Sequence, residues 1–555
     1  MAELLVVIVS ALVVIAVSAI AGPRLGIAAP LLLVSIGVAA SFLPVFDATH
    51  IEPEWILEGV LPPLLYSSAV SMPAMNFRRE FGAIGGLSVL LVVGTALVLG
   101  VFFMLIVPDL GFAWGVALGA IVSPTDAVAT SIIKKTPVSK RVVAILDGES
   151  LLNDATALVL LRTAIVATAA AFSFWGAVGT FVYSVVVALV VGWAVGRLNL
   201  MVRKRITDPA VNTVLSFTVP FLASIPAELL GASGLVAAVV AGLVTGVGAP
   251  RVLSPQNRLS DSQNWRTVEL VLEGAVFLTM GLQIHSIIVD SENDHAGVGV
   301  AVLVAAGALA LTLLVRAAYV APLLGVLAHR ARRGEKMQAH VQDMQDRMNT
   351  PEGKQATLER LQTRNRRASD RDLDRFSRRL TQGLANIEYF LREPLGWREG
   401  TAVVWAGMRG AVTVAAAQTL PEDTPQRPLL VLIAFTVALM SLLVQGGTIG
   451  PVLRLITPES GAETDPEDQT VTEQARIFDL FRTTAQEVGE RPEPEATQAG
   501  FDAMKRHQLA VIEAQRAALL DARDNGTFDA DVLAEALENL DASQIAIEMR
   551  ATLVG

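Results

Sequence analysis

Long apolar segments restrict the fold of this chain more than any other feature of its sequence. A helix needs roughly 20 apolar residues to cross the hydrocarbon core of a bilayer, whereas barrel strands alternate apolar and polar residues over about 10. Of the 555 residues, 52% are hydrophobic and 17% are charged, a more apolar balance than soluble globular proteins have. The sequence therefore predicts an all-α polytopic membrane protein with thirteen transmembrane helices. The candidate spans lie at about residues 4–21, 25–43, 55–72, 82–107, 111–133, 142–170, 174–198, 211–227, 231–248, 267–288, 297–325, 401–420 and 428–453.

Positive charges occur in every second connection between these spans. Lys and Arg residues near span ends accumulate on the cytoplasmic side of a membrane. Here they follow the odd-numbered spans, and a miscount by one span would scramble this order. The pattern predicts an N-terminus outside and a C-terminus in the cytoplasm, in a multi-pass protein of the cell membrane. The basic loops contain Arg24; Arg78 and Arg79; Lys134, Lys135, Lys140 and Arg141; Arg203, Lys204 and Arg205; Arg251 and Arg258; the stretch from Arg330 to Arg398; and Arg454.

Two polar segments accompany the apolar body. The predicted organisation is a transmembrane domain at residues 1–327, a cytoplasmic helical insertion at 328–399, spans twelve and thirteen at 400–456, and a cytoplasmic tail at 457–555. The tail is acidic and largely helical, and it begins with the low-complexity stretch ESGAETDPEDQ. Its helical periodicity breaks at the sequence DNG, which predicts a helical hairpin. The hairpin has two possible roles. It could belong to a solubilising tail that packs against itself, or it could regulate the protein through a partner or an ion.

Few ionisable residues lie inside the spans. Because a charge inside a bilayer is costly, each one is a candidate for an ion pathway or binding site. The main candidates are Asp126 in span five, Glu149 and Asp154 in span six, Arg316 in span eleven and Arg409 in span twelve. Three further acids, which lie nearer the ends of their spans and rank below this group, are Glu58, Glu269 and Glu273.

Span five contains the sequence SPTDAVATS, in which Pro124 lacks an amide donor and disfavours helix at the preceding residue. The helix should therefore break about halfway through the membrane. A break at that depth frees backbone groups, which persist only where they line a cavity or bind something. Asp126 would lie beside freed amides, and the carbonyl of Thr125 would become an oxygen ligand. A simple proline kink capped by Asp126 is the alternative.

Span six supplies the partners of this break. Residues four apart share a helix face, so Ser150 and Asp154 form one stripe and Glu149 and Asn153 form the next. Carboxylate, hydroxyl and carbonyl oxygens suit a hard monovalent cation such as Na+, and the cluster lacks the His and Cys that transition metals prefer. Two acids in one site can also exchange protons, so Na+ and H+ would compete for it.

The remaining charges have expected structural roles. Arg316 stays protonated and needs a permanent counter-ion, for which Glu149, off the ion stripe, is the candidate. Span twelve carries GMRGAV, where a glycine on either side of Met408 and Arg409 predicts a second helix break. Spans one to six and eight to thirteen would then be inverted six-helix repeats with crossing broken helices. Arg409 would offset the negative carbonyl ends of those helices.

The motifs SPTDAVA, GESLLNDATALV and GMRGAV, in that order and with LVR between the last two, give the chain a resemblance to a known family. It resembles the monovalent cation:proton antiporters, which include bacterial and archaeal sodium/proton antiporters and animal sodium/hydrogen exchangers. The resemblance covers roughly residues 1–455. It implies a homodimer in membrane lipid, without nucleic acid or cofactor, in which a six-helix core moves like an elevator.

The resemblance also implies roles for individual residues. Asp154 looks like the ion and proton carrier, with Asp126, Ser150 and the Thr125 carbonyl as further Na+ ligands. Asn153 looks like the residue that holds the broken helix of span five. Members with Asn-Asp at these positions resemble electroneutral one-for-one exchangers. One departure is Ser67, which stands in span three where family members often carry a Glu, so a carboxylate near the ion is expected to be missing.

Sodium/proton antiport is not the sole function that such a sequence allows. Potassium/proton antiport is the nearest alternative, and Li+ is a further candidate cargo. A cation channel, or a sensor that signals through its tail, belongs to a different class. An enzyme is disfavoured, because the chain lacks a His-rich metal site and the sequence GES does not supply the G-x-S-x-G nucleophile elbow.

Overall fold

The computed structural model describes residues 2–43, 52–126, 128–134, 136, 138–169, 174–293, 297–348, 350–364, 370–456, 466–490, 492–493 and 497–550. Within these residues all regular secondary structure is helical. Nine of the described helical segments are long and apolar enough to cross a membrane, and two apolar helices, Ala29–Ser41 and Phe112–Val122, are shorter. The protein is therefore an all-α multi-pass membrane protein. The full count of thirteen spans stays a prediction.

The helices follow one another along the chain. Three segments are π-helical and continue into a neighbouring α-helix: Trp55–Val60, Gly86–Leu91 and Leu442–Gly446. The α-helices are α1 Ala2–Leu25, α2 Ala29–Ser41, α3 Leu61–Ser71, α4 Ala74–Gly85, α5 Val92–Ile106, α6 Phe112–Val122, α7 Val128–Ile133, α8 Lys140–Ala169, α9 Phe174–Arg203, α10 Pro209–Leu229, α11 Gly234–Val252, α12 Pro255–Leu282, α13 Ile284–Asn293, α14 Val298–Met348, α15 Pro351–Arg364, α16 Asp370–Arg392, α17 Trp397–Trp405, α18 Ala411–Gln418, α19 Arg427–Ser441, α20 Gly447–Ile456, α21 Pro466–Glu487, α22 Gln498–Asn525 and α23 Ala530–Arg550.

Two of the predicted spans are interrupted. The fifth is divided into α6 and α7, and the twelfth into α17 and α18. By contrast, α14 runs 51 residues without interruption, well past the predicted end of the eleventh span at 325. The residues beyond that point are mostly Ala, Arg, Glu, Lys, Gln and Met, which have high intrinsic helix propensity. Hydropathy marks where an apolar stretch ends, but it does not mark where a helix ends.

The chain divides into two compact units. The first comprises residues 1–252, 260–324 and 397–458. One of its apolar cores lies among α3, α8, α9, α10, α11 and the middle of α12, and it includes Tyr66, Leu151, Ala188, Val239 and Trp265. Close packing there depends on small residues, since a Cβ on Gly242 would lie 2.7 Å from the Tyr66 carbonyl oxygen.

The second unit comprises residues 253–259, 325–396 and 459–555. The predicted insertion and tail thus belong to one body, together with the start of α12. The boundaries predicted at 327/328, 399/400 and 456/457 lie within three residues of those between the units, at 324/325, 396/397 and 458/459. Residues 457–465, which include most of the low-complexity start of the tail, lie outside the described residues.

The tail contains a helical hairpin formed by α22 and α23. Gly526 ends α22 with φ 72°, in the left-handed region that glycine adopts without strain. Ile512 and Leu519 of α22 pack with Leu533 and Leu540 of α23 in one buried cluster. Leu509, also in α22, is only half-buried.

A charged cluster in the second unit joins this hairpin to the start of α12. Asp541 accepts hydrogen bonds from Arg516 (Oδ1 to NH2, 2.8 Å) and from the Nε of Arg258 (Oδ2, 2.8 Å). Burial, followed by the charge of Arg258, lowers the pKa of the Arg516 guanidinium, and Asp541 opposes both effects. The carboxylate therefore holds together two cations that would otherwise repel each other.

Candidate ion-binding site

The first helix break spans the gap between α6, which ends at Val122, and α7, which begins at Val128. Pro124 lies in this gap, at the place where the sequence predicts the break. Within it, Asp126 caps α7, because its Oδ1 accepts from the Val128 amide at 3.0 Å. The Asp126 amide donates to the carbonyl of Met408 at 2.7 Å. The first break is therefore docked directly on the second.

The second break lies between α17 and α18. Two side chains from the end of α19 and the following π-helical segment compensate its freed backbone groups. Ser441 Oγ accepts from the Arg409 amide at 2.9 Å, and Gln445 Nε2 donates to the Trp405 carbonyl at 2.9 Å. These two side chains also bond to each other. Non-helical backbone is tolerated in an apolar environment only when its polar groups are satisfied in this way.

Arg409 is fully buried between the two breaks. Its Nε donates to the Val122 carbonyl at 3.0 Å, and its NH1 donates to the Gly407 carbonyl. Val122 is the last residue of α6, so the guanidinium lies at the negative end of that helix.

Both glycines of the GMRG motif are required by close approach. A Cβ on Gly410 would lie 1.4 Å from Asp126 Oδ2, and a Cβ on Gly407 would lie 2.8 Å from Arg316 Nε. Gly410 has an extended backbone that any residue adopts, so the constraint on it is steric. The Asp126 carboxylate occupies the space that a side chain at position 410 would need.

One face of α8 is hydrogen-bonded to the first helix break. Asn153 Nδ2 donates to both oxygens of Thr125, at 2.9 Å to the carbonyl and 2.6 Å to the hydroxyl. The Thr125 hydroxyl donates in turn to Glu149 Oε1 at 3.0 Å. The Thr125 carbonyl retains a second lone pair, so this hydrogen bond leaves it able to contact a cation.

Glu149 and Arg316 form a buried bidentate ion pair. Arg316 NH1 and NH2 donate to the two carboxylate oxygens at 2.5 and 2.7 Å, and each residue is 1% exposed. Arg316 Nε donates to the carbonyl of Val403 in α17 at 2.9 Å. The pair therefore links α14, α8 and α17. Glu149 also reaches Thr125, a contact that the sequence does not predict.

The neighbouring face of α8 is different. Asp154 is 8% exposed and interacts electrostatically with Asp126, and its carboxylate forms no hydrogen bond with the part of the chain that the structure describes. Ser150 donates to the Asp147 carbonyl of its own helix at 3.0 Å. The hydroxyl oxygen still carries lone pairs that face no protein donor among the described residues. This face is thus the one that offers oxygen atoms to an ion.

The structure brings α12 acids, which rank low by sequence, close to this site. Ser67 Oγ donates to Glu269 Oε2 at 3.4 Å. Glu273, one turn further along α12, interacts electrostatically with Asp126 and with Glu269. The carboxylate expected to be missing at Ser67 is therefore contributed to the same neighbourhood by another helix. The i, i+4 spacing of the two glutamates was the sequence signal for it.

These contacts define what the site can do. Among the described residues, no group of three His, Cys, Asp or Glu side chains is close enough to hold a metal ion together. Asp126, Asp154, Ser150 and the Thr125 carbonyl instead offer a mixed oxygen set with two negative charges, the chemistry that weakly bound hard cations require. A proton on either carboxylate would reduce that charge.

Comparison with known proteins identifies the family. The model described as "Sodium/hydrogen exchanger, transmembrane" matches residues 8–349 and 374–455, which is more than half of the chain. The chain belongs to the sodium/hydrogen exchanger family. The predicted resemblance to monovalent cation:proton antiporters is confirmed, and the gap in the match lies within the predicted insertion.

Individual exchangers resemble this family member over long stretches. An uncharacterized Na(+)/H(+) exchanger of Mycobacterium bovis is 27% identical over 581 residues, which cover 98% of this chain and 96% of the relative. The low-affinity Na(+)/H(+) antiporter NhaS1 of Synechocystis is 27% identical over 434 residues, covering 76% and 68% of the two chains. The uncharacterized Na(+)/H(+) exchanger YjcE of Escherichia coli is 36% identical over 270 residues, covering 47% and 49%.

The fold of this exchanger-family chain also has a solved counterpart. The sodium proton antiporter MjNhaP1 of Methanocaldococcus jannaschii superposes with a TM-score of 0.55 at 15% sequence identity, covering 82% of this chain and 100% of MjNhaP1. At that identity the likeness shows a shared fold.

Proposed function

We propose that this protein exchanges sodium for protons across the cell membrane by alternating access. The observation that carries the proposal is the pairing of Asp154 with Asp126 at the junction of two helix breaks, where Asp154 has no hydrogen-bond partner among the described residues. A Na+ between the two carboxylates allows both to be ionised. When Na+ leaves, a proton replaces it, and the pair titrates as a unit. Family relatives named for Na(+)/H(+) exchange support the same assignment.

Each residue of the proposed site has a distinct role. Asp154 and Asp126 carry Na+ or H+, and Ser150 with the Thr125 carbonyl completes the oxygen ligands. Asn153 fixes the Thr125 turn through its two hydrogen bonds. Three further groups, which shape the junction without contacting the ion, are Pro124, Arg409 and the pair of Glu149 with Arg316.

The exchange is proposed to be electroneutral, with one Na+ for one H+. Asn153 cannot lose a proton, so only one residue of the Asn-Asp pair on α8 changes charge during transport. An imposed membrane potential should therefore leave the rate of exchange unchanged. A strong dependence of that rate on potential would contradict this stoichiometry.

The larger architecture is proposed from the same sequence pattern. Thirteen spans, with inverted repeats before and after span seven, would place the two breaks in corresponding positions, and the contact between Asp126 and Met408 supports this arrangement. The alternation of basic loops supports an outside N-terminus and cytoplasmic insertion and tail. We include a homodimer in lipid in the proposal, on the resemblance of the motifs.

The function is tested with purified protein in liposomes that carry a pH gradient and an internal pH dye. Addition of Na+ should dissipate the gradient, and the Na+ concentration for half-maximal rate should rise as the pH falls, because protons compete for the same carboxylates. No Na+-dependent dissipation by the wild-type protein would contradict the proposal. The same titration with K+ and Li+ measures cation preference.

A channel is separated from an exchanger by the coupling of the two ions. A channel would pass Na+ current without any proton gradient or counter-flux. The exchanger proposed here should move Na+ only when H+ moves in the opposite direction, so 22Na+ uptake should collapse when the pH gradient is removed.

A further inference from the structure

One face of α12, in the part of the helix that belongs to the first unit, lies beside the proposed ion site. Trp265, Glu269 and Glu273 are each four residues apart, so they share that face. The Trp265 ring lies 5.1 Å from the Tyr66 ring of α3, and Glu269 accepts from Ser67 of α3. The two glutamates are therefore directed towards α3. Both are half-buried, which leaves part of each side chain accessible.

The charged groups around these glutamates form a series. Glu269 interacts electrostatically with Lys134, Arg266 and Asp147, and Glu273 interacts with Glu269 and Asp126. The first members are accessible, since Lys134 pairs with Asp147 at 3.0 Å and their side chains are 53% and 26% exposed. The acids therefore lead from an exposed ion pair to the Asp126 carboxylate.

A second observation points to a cation at the inner end of this series. Asn153 Oδ1 is fully buried and has no hydrogen-bond partner among the described residues, while its Nδ2 is fixed on Thr125. A buried amide oxygen without a donor is costly unless a water or an ion satisfies it. The oxygen lies beside the same turn that carries Asp126, so it adds a neutral oxygen to the two negative charges there.

The described residues hold no group of three acidic side chains close enough to share one ion, so a cation would meet these acids one after another. We infer that Glu273 is a third carboxylate of the transport pathway, which raises the affinity of the Asp126 and Asp154 site for Na+ and receives the ion from Glu269. This inference rests on the proposed function. Its chemical basis is the attraction of a hydrated monovalent cation to a line of half-buried carboxylates that have no paired guanidinium among the described residues.

The test uses the full-length protein and two measurements with NaCl. The first is the rise in melting temperature of the detergent-solubilised protein with Na+ concentration, which reports binding. The second is the Na+ concentration for half-maximal exchange in liposomes. The variants are Glu273→Gln, Glu269→Gln and, as a control, Glu58→Gln, which removes an exposed acid of the π-helical turn before α3.

Glu273→Gln should raise the half-saturating Na+ concentration by about tenfold in both measurements, since it removes one negative charge near the ion at an effective dielectric constant of about 20. Glu269→Gln should slow exchange at low Na+ more than it weakens binding, because it lies earlier in the series. Glu58→Gln should match the wild type. Glu273→Asp, which keeps the charge, should recover most of the affinity.

Two results would overturn the inference alone: a Glu273→Gln protein with wild-type Na+ curves, or a Glu273→Asp protein as weak as Glu273→Gln. If the wild-type protein responds to Na+ in neither measurement, the proposed function fails as well. If Glu273→Gln does not fold, the double variant Glu269→Gln with Ser67→Asp tests the inference through its exchange rate at low Na+. This pair moves a carboxylate across one hydrogen bond, so it should restore the rate at low Na+ that Glu269→Gln alone loses, and no recovery would contradict the series.

Discussion

The two inward faces of α8 are made of similar residues and yet they are bonded differently. On one face, Asn153 donates to Thr125, and Glu149 accepts from both Thr125 and Arg316. These bonds form a continuous buried network. On the other, the Asp154 carboxylate has no protein donor among the described residues, and Ser150 bonds only to its own helix in that part of the chain. A one-residue step along the helix separates a face that is bonded to neighbouring segments, apart from the Oδ1 of Asn153, from a face that is not.

This difference shows how a buried polar group can be assigned a role. A satisfied group holds structure, because its removal leaves a partner unpaired. An unsatisfied ionisable group is costly in the resting structure, and that cost is recovered when a ligand binds. Substitutions on the two faces should therefore separate cleanly into losses of transport and losses of stability.

The largest effect is expected for Asp154→Asn. The change keeps the shape of the side chain but removes the charge that Na+ or a proton neutralises, so Na+-dependent dissipation of a pH gradient should fall to the level of empty liposomes. The melting temperature should stay near that of the wild type. Asp109→Asn, the same substitution in the connection before α6, is the matched control and should keep full activity. If Asp154→Asn keeps more than roughly one tenth of the wild-type exchange rate, another residue carries the ion.

Gly410→Ala comes next. The added methyl group would occupy the position of the Asp126 carboxylate, which must then move by an ångström or more. A displacement of that size in a binding constellation lowers the rate by roughly a hundredfold. The control is Gly447→Ala, whose added Cβ meets no atom within 4 Å. Equal exchange rates for the two variants would show that Asp126 is not held in its functional position.

Glu149→Gln should act on the other face and on a different property. It leaves the Arg316 guanidinium buried without its counter-ion, which costs about 3–5 kcal/mol of stability. The melting temperature should fall sharply, while the protein that remains folded keeps its apparent Na+ affinity. Combining it with Arg316→Met should recover part of the loss, because no charge is then left unpaired. Additive losses in the double variant would indicate that the ion pair is not the source of the stability.

Ser441→Ala is expected to have the smallest effect. The serine accepts from the Arg409 amide and bonds to Gln445, so its loss leaves one buried amide unsatisfied at about 1–3 kcal/mol. Exchange should slow only modestly, since Arg409 retains its bonds to the carbonyls of Val122 and Gly407. Thr436→Ala, five residues earlier in α19, removes a hydroxyl that bonds, among the described residues, only within its own helix, so the change should be nearly neutral. A larger loss from Thr436→Ala would contradict this account of the second break.

Much of the fold and part of the site could be predicted from the sequence because the signals are local. Pro124 disfavours helix through its own covalent structure, and the i, i+4 spacing on α8 fixes which side chains share a face. The pairing of Glu149 with Arg316 follows from charge, since few opposite charges occur within the spans. These arguments require no knowledge of how the helices pack.

Other features depend on packing between distant segments and were not accessible in this way. The fit of Asp126 against Gly410 joins residues 284 positions apart, from 126 to 410. Ser441 and Gln445 compensate a break on another helix, and Glu269 reaches Ser67 across 202 positions. Similarly, the sequence does not indicate that the insertion, the tail and the start of α12 belong to one compact unit.

The central claim is the division of roles on α8, and the Na+ dependence of thermal stability tests it most directly. Wild type, Asp154→Asn and Glu149→Gln are melted across the same range of NaCl, with choline chloride as the ionic-strength control. Asp154→Asn should begin near the wild-type melting temperature and show no Na+-specific rise. Glu149→Gln should begin much lower and rise by the wild-type increment. A stable Glu149→Gln protein with a strongly shifted Na+ response, or an Asp154→Asn protein with an intact one, would contradict the division.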